Sequence, residues 1–122
     1  VKTRKSPTND LPMPYLIDRS ALTRMRYPAV EALLAPIIES GEAATCSIVD
    51  LEVLYSTRNR DEHARVRARR LFAYRKVELT EAIFSRAVDV QGLLAGQGRH
   101  RLPIPELIIA AAAETARMTV LH

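Results

Sequence analysis

The chain has 122 residues, 48% of them apolar, which suits one domain with a real buried core and excludes a disordered polar polymer. No apolar run approaches the roughly 20 residues of a bilayer span, and the basic start Val1 to Asp10 leads into Pro-containing sequence rather than an apolar signal core, which points away from membrane and export and toward the cytoplasm. The net charge of +4 favours contact with a polyanion, though charge speaks of association and not of fold.

With four Tyr, two Phe and no Trp, the core must be built mostly from Leu, Ile, Val and Ala, a composition that suits helices packed on a small sheet. The single cysteine, Cys46, has no internal disulfide partner and sits in an apolar context, so it reads as a buried, reduced thiol.

Residues 1–14 combine three prolines with charge and no periodicity, and read as a flexible leader. Met13 is a candidate physiological start. Tyr15 to Ile17 is a short apolar run ending in Asp18, expected as a buried strand with the acid at its carboxyl end. Val30, Leu33, Leu34, Ile37 and Ile38 follow helical spacing after Pro28, with Gly41 as the stop and Pro36 as a bend. Ala43 to Cys46 is the second strand, and Ser47 with Asp50 forms a Ser-x-x-Asp cap for a helix to about Tyr55. Asn59 or Asp61 can cap a helix to about Tyr74; Val77 to Leu79 is expected as strand three, and Thr80 as the cap of a helix carrying Ile83, Ala87, Val90 and Leu94. After the GQGRHR loop, Pro103 to Pro105 opens a mostly apolar helix from Glu106 to about Arg117, and Thr119 to Leu121 is the fourth strand. Such alternation implies an α/β class: a parallel sheet of about four strands, covered on both faces, with its working crevice at the carboxyl ends of the strands.

Three carboxylates stand where carboxylates are costly. Glu52 shares a helical stripe with Ile48, Leu51 and Tyr55, so it needs either a metal or a basic partner such as Arg19 or Arg58. Glu106 lies in the first turn of an apolar helix, where the helix dipole alone offers an explanation, and Asp18 ends an apolar strand. Asp50 is accounted for as a cap. Asp18, Glu52 and Glu106 could converge on a hard divalent cation, Mg²⁺ or Mn²⁺. His63, His100 and His122 lack zinc-ligand spacing and read as surface or loop residues. The stretch Arg58 to Lys76 holds eight basic residues against Asp61 and Glu62, and reads either as a phosphate-tracking helix or as a solvated face; Arg99, His100 and Arg101 form a weaker second candidate. Gly96-Gln97-Gly98 is not a P-loop, since no Lys-Ser/Thr follows.

Three segments, YLIDRSAL from Tyr15, SIVDLEVLYS from Ser47 and IPELIIAAAAE from Ile104, resemble in order and spacing the motifs of PIN domains, particularly the VapC toxins of bacterial toxin–antitoxin pairs. The resemblance runs from about Tyr15 to His122 and implies a three-layer α/β/α PIN-like domain over 15–122. It implies a Mg²⁺- or Mn²⁺-dependent endoribonuclease, the toxin of a type II system, with RNA as substrate, a cognate antitoxin protein as partner, and a homodimer. Carried over by motif, Asp18 matches the first metal acid, Glu52 the second and Glu106 the third. The third acid is usually Asp in that family, Arg19 stands where Thr is commoner, and the fourth acid would follow His122, so the domain is expected to lack its C-terminal end. The competing readings are a catalytically degenerate PIN-like module that binds antitoxin or RNA without cleaving, and a small interaction domain with no nucleic-acid partner.

Overall fold

The computed structural model describes residues 14–122, so the expected leader lies outside the described residues save for Pro14, as does Met13. Four short strands, β1 (Tyr15–Ile17), β2 (Ala43–Thr45), β3 (Arg75–Lys76) and β4 (Thr119–Leu121), form one sheet in the order β3-β2-β1-β4. Every pairing is parallel, with Leu16 opposite both Ala44 and Val120. Between them run α1 (Arg19–Thr23) with a 3-10 turn at Arg24–Arg26, α2 (Pro28–Glu39), α3 (Ser47–Tyr55), α4 (Arg60–Ala73), α5 (Glu81–Ala95) and α6 (Ile104–Ala116).

The period-two alternation of the strands sorts their side chains into two separate cores. Leu16 and Ala44 join Val49 of α3, Ile83 and Ala87 of α5 and the alanine-rich face of α6 on one side of the sheet. Tyr15, Ile17 and Ala43 point the other way and pack with Ala21 of α1 and with Leu34, Ile37 and Ile38 of α2. The α/β/α layering expected from the alternating pattern is therefore present. Leu16, Ile17, Leu34, Val49 and Ile83 are fully buried, each contributing about 1.5–3 kcal/mol relative to exposure. Cys46 is also fully buried, and burial pushes its thiol pKa up, as expected of an inert core cysteine.

Several local expectations shift. Strand three lies at Arg75–Lys76 rather than at Val77 to Leu79, because the pairing partner of β2 is set by backbone register, with Ala44 opposite Arg75 and Val77 N–H donating to the Thr45 carbonyl at 2.8 Å. As an edge strand it carries exposed basic side chains, which resist further pairing, while Val77 and Leu79 pack beneath it on the core. The N-cap of α3 is Cys46, not Ser47. The buried side of α3 is Val49 with Ile48 and Val53, while Leu51 and Tyr55 are 65% and 91% exposed. Helix α2 continues through Pro36 to Glu39. Asn59 caps α4 by accepting from Glu62 N–H at 2.8 Å, and Thr80 caps α5.

Candidate active site at the β1–β4 switch point

The chain builds the sheet outward from β1 through β2 to β3, then returns to the other side of β1 with β4. The strand order thus reverses between β1 and β4, and in open parallel sheets the crevice beyond the carboxyl ends at such a reversal is the usual ligand site. Asp18 directly follows β1 and His122 directly follows β4. The Asp18 N–H donates to the Leu121 carbonyl at 2.9 Å, which fixes the backbone of the acid to the neighbouring strand.

A cavity of about 300 Å³ opens there, lined by Asp18, Ser20, Glu106, Ile109, Val120 and His122. Asp18 serves as the N-cap of α1: its Oδ1 accepts from Arg19 N–H at 2.7 Å, and its Oδ2 accepts from the Ser20 hydroxyl at 3.2 Å. Both carboxylate oxygens are oriented by local bonds that leave further lone pairs for a ligand. Glu106 is the third residue of α6, within the first turn where the helix dipole favours a negative charge. Its apolar neighbours Leu107, Ile108 and Ile109 bury the helix while Glu106 itself remains exposed.

Of the three acids singled out from sequence, Asp18 and Glu106 come together at this cavity. Glu52 lies half-buried on α3 and is not among the lining residues. Neither suggested basic partner pairs with it in a described salt bridge: Arg58 bonds Glu62 at 3.1 Å instead. Among the described residues, no group of three or more His, Cys, Asp or Glu side chains is close enough to hold a metal ion. Two carboxylates and a hydroxyl nonetheless suit Mg²⁺, which is commonly held by one or two carboxylates and keeps several waters. His122, read from sequence as a surface histidine, is exposed but lines the cavity; its place at the end of β4, beside β1, follows from tertiary strand order that no local motif encodes.

A second polar cluster sits at the carboxyl ends of β2 and β3. Asp50 is not a cap: its Oδ1 accepts from the Thr45 hydroxyl and from Arg70 Nε, both at 2.9 Å, and its Oδ2 accepts from Lys76 Nζ at 2.7 Å. Arg70 is buried, also donates to Thr45 Oγ1 at 2.9 Å, and stacks 4.4 Å over the Tyr74 ring. Burial alone would raise the Asp50 carboxyl, but the bonds from Lys76, Thr45 and Arg70 outweigh it and hold the pKa below the ordinary carboxylate value. The basic stretch of α4 is thereby divided: Arg70 turns inward, whereas Arg60, Arg65, Arg67 and Arg69 remain exposed. Glu114, the last acid of the IPELIIAAAAE segment, bonds Arg86 at 2.7 Å and ties α6 to α5 on the surface, away from the cavity.

No family model matches the chain. It is similar to Ribonuclease VapC51 of Mycobacterium tuberculosis (strain ATCC 25618 / H37Rv), at 41% identity over 108 residues covering 88% of this chain and 78% of the relative. It is similar to Ribonuclease VapC21 of the CDC 1551 / Oshkosh strain at 40% over 109 residues, covering 88% and 79%. In three dimensions it resembles VapBC2 of Rickettsia felis, solved bound to a DNA fragment from its promoter, with a TM-score of 0.71 at 15% identity, covering 90% of this chain and 86% of that one. It also resembles a toxin-antitoxin complex from Klebsiella pneumoniae, with a TM-score of 0.68 at 20% identity, covering 88% and 84%. The structural likeness carries the α/β/α fold, the sequence identity carries the ancestry, and the chain belongs to the VapC family of PIN-domain proteins.

Proposed function

We propose that the chain is an endoribonuclease, the toxin of a toxin–antitoxin pair, and that it cleaves RNA with Mg²⁺ or Mn²⁺ held by Asp18 and Glu106. The observation that carries this reading is the meeting of those two carboxylates in one cavity at the sheet's switch point. The names of the relatives, all ribonucleases, supply the reaction class. The two structural neighbours are toxin–antitoxin complexes, which supports an antitoxin protein as partner. A second copy of the chain is the other proposed partner.

When bound, a divalent cation would lower the pKa of a coordinated water and stabilise the leaving oxygen of the phosphodiester. The chain's own residues do the positioning. The helix-capping bond from Arg19 N–H and the bond from Ser20 hold the Asp18 carboxylate in one orientation. Glu106 lines the same cavity from the start of α6, and Glu52, which is not among the lining residues, acts through a water or on the nucleophile. Arg19, exposed next to Asp18, offers its charge to a phosphate of the RNA.

The test is cleavage of a panel of structured RNAs by the purified protein with Mn²⁺, with Mg²⁺ and with EDTA, alongside Asp18→Asn. Cutting that needs metal and falls by at least about a hundredfold in the variant is the expected result. Asn caps helices as well as Asp, so the variant stays folded. A second reading, a module that binds RNA or antitoxin without cleaving, is favoured by the absence of a three-acid cluster among the described residues. RNA retention with steep salt dependence and no cutting under any metal would select it.

A further inference from the structure

We infer that the cavity between α3 and α4 is a nucleotide-binding subsite for the RNA, an assignment that rests on the ribonuclease reading above. The cavity measures about 370 Å³, within the range of small-ligand sites. One helical face from each helix builds it, Ser47, Asp50, Leu51 and Leu54 from α3 and His63, Arg67, Arg70 and Leu71 from α4, with Tyr74 at the end of α4 closing it.

Its lining is complementary to an anion that carries an apolar body. Leu51 and Leu71 are 65% and 64% exposed, so the walls present apolar surface to solvent. The one carboxylate, Asp50, is already neutralised by Arg70 and Lys76. Arg67 is exposed and pairs with no described carboxylate, and it stands on the lining with His63, so the cavity as a whole is cationic. A phosphate answers Arg67 and the apolar faces of a base answer Leu51, Leu54 and Leu71, a combination that a nucleotide offers in one molecule.

Position supports the same ligand. Thr45 and Lys76 end β2 and β3, while Asp18 and His122 follow β1 and β4, so both cavities open at the carboxyl edge of one parallel sheet. The alternation of the strands puts Thr45 and Tyr74 on the Ala43 face and Val120 and Ile109 on the Leu16 face, so an RNA strand that reaches both cavities passes around the carboxyl edge of the sheet. The α3–α4 cavity would then hold a nucleotide farther along the strand than the one whose phosphate meets Asp18 and Glu106.

The experiment is titration of the isotopically labelled full chain with 5′-AMP in EDTA, followed by amide chemical shifts, with inorganic phosphate and an acidic peptide as parallel arms. Shifts confined to residues 45–54 and 63–76 with 5′-AMP, and lost in Arg67→Glu and in His63→Ala, are expected. Weaker shifts with phosphate alone would show that the base contributes. Shifts at the Asp18 crevice only, or at the α3–α4 cavity with the peptide and not the nucleotide, would overturn the assignment. In cleavage assays Arg67→Glu should raise KM for a short RNA about tenfold, the size of one charge-assisted contact, and an unchanged KM would also overturn it. If 5′-AMP occupies the cavity but no RNA is cut, the nuclease reading fails and the nucleotide site stands.

Discussion

Asp50 and Arg70, twenty residues apart in sequence, meet at 2.9 Å across the groove between α3 and α4 and tie both helices to Thr45 at the end of β2. Both side chains are largely withdrawn from water, at 16% and 8% exposure, and Asp50 is the carboxylate that pairs with Arg70. Arg70→Ala should cost about 1.5–3 kcal/mol, since it removes a charge-assisted bond to Asp50 and a bond to Thr45 while Lys76 and Thr45 still hold the Asp50 carboxylate. Urea denaturation of the variant measures this directly. A loss under 0.5 kcal/mol would mean that Lys76 alone satisfies Asp50.

The same carboxylate sets a pH dependence. The folded pKa of Asp50 lies below its unfolded value, so its contribution to stability is present above the unfolded pKa of about 3.9 and is lost as pH falls through the folded value. Stability measured by urea from pH 7 downward should therefore hold until about pH 4 and then decline. In Asp50→Asn the acid-side decline should be shallower on a lower plateau, and an identical slope in the two proteins would remove Asp50 from the account.

The layering was legible because strand ends and helix caps are local. Tyr15 to Ile17, Thr80 and Pro103 to Pro105 each announce their element within a few residues, and Asp18 is readable as an acid at a strand end. What stayed hidden is tertiary. Arg75 and Lys76 carry no apolar signal because an edge strand shows its side chains to water, so the neighbouring Val77 and Leu79 drew the assignment instead. Helix α3 is apolar nearly all round over nine residues, so spacing could not select Val49 over Leu51 as its buried side. Asp50 lies three residues after Ser47, as a capping acid would, and nothing near it in sequence names Arg70 as its partner. His122 reaches the Asp18 cavity only because β4 lies beside β1.

Glu106 is exposed in the first turn of α6, so its substitution should leave the fold intact and report on the role proposed for it as a metal ligand. Glu106→Gln should cut RNA cleavage by at least about a hundredfold while shifting stability by less than about 1 kcal/mol. Glu106→Asp, which shortens the side chain to the length usual in the family, should cleave at least as fast as the parent. Single-turnover rates in Mn²⁺ report both, and a slower Glu106→Asp would mean that this cavity is shaped around the longer acid.

Glu52 stands apart from the Asp18–Glu106 cavity, half-buried on α3. An acid acting through water or on the nucleophile contributes less than a direct ligand, so Glu52→Gln should slow cleavage by about tenfold to a hundredfold. Its Mn²⁺ requirement, read as the concentration giving half-maximal rate, should move less than that of Glu106→Gln. Equal shifts in the two variants would place Glu52 among the direct ligands.

Two helices end on the same motif with different residues. At the end of α2, Gly41 has φ 80°, its N–H donates to Ile38 and the next N–H, of Glu42, donates back to Ile37. At the end of α6, Arg117 occupies the corresponding position at φ 58°, with Met118 N–H donating to Ala113 at 2.8 Å. A side chain in this left-handed region costs roughly 1–2 kcal/mol, and glycine avoids that cost while losing more unfolded-state entropy. Arg117→Gly should therefore stabilise the chain by about 0.5–1 kcal/mol, and Gly41→Ala should destabilise it by about 1 kcal/mol. Thermal melts of the pair decide it: the α6 terminus feeds β4 and the His122 side of the cavity, so a destabilised Arg117→Gly would mean that the arginine side chain itself anchors that turn.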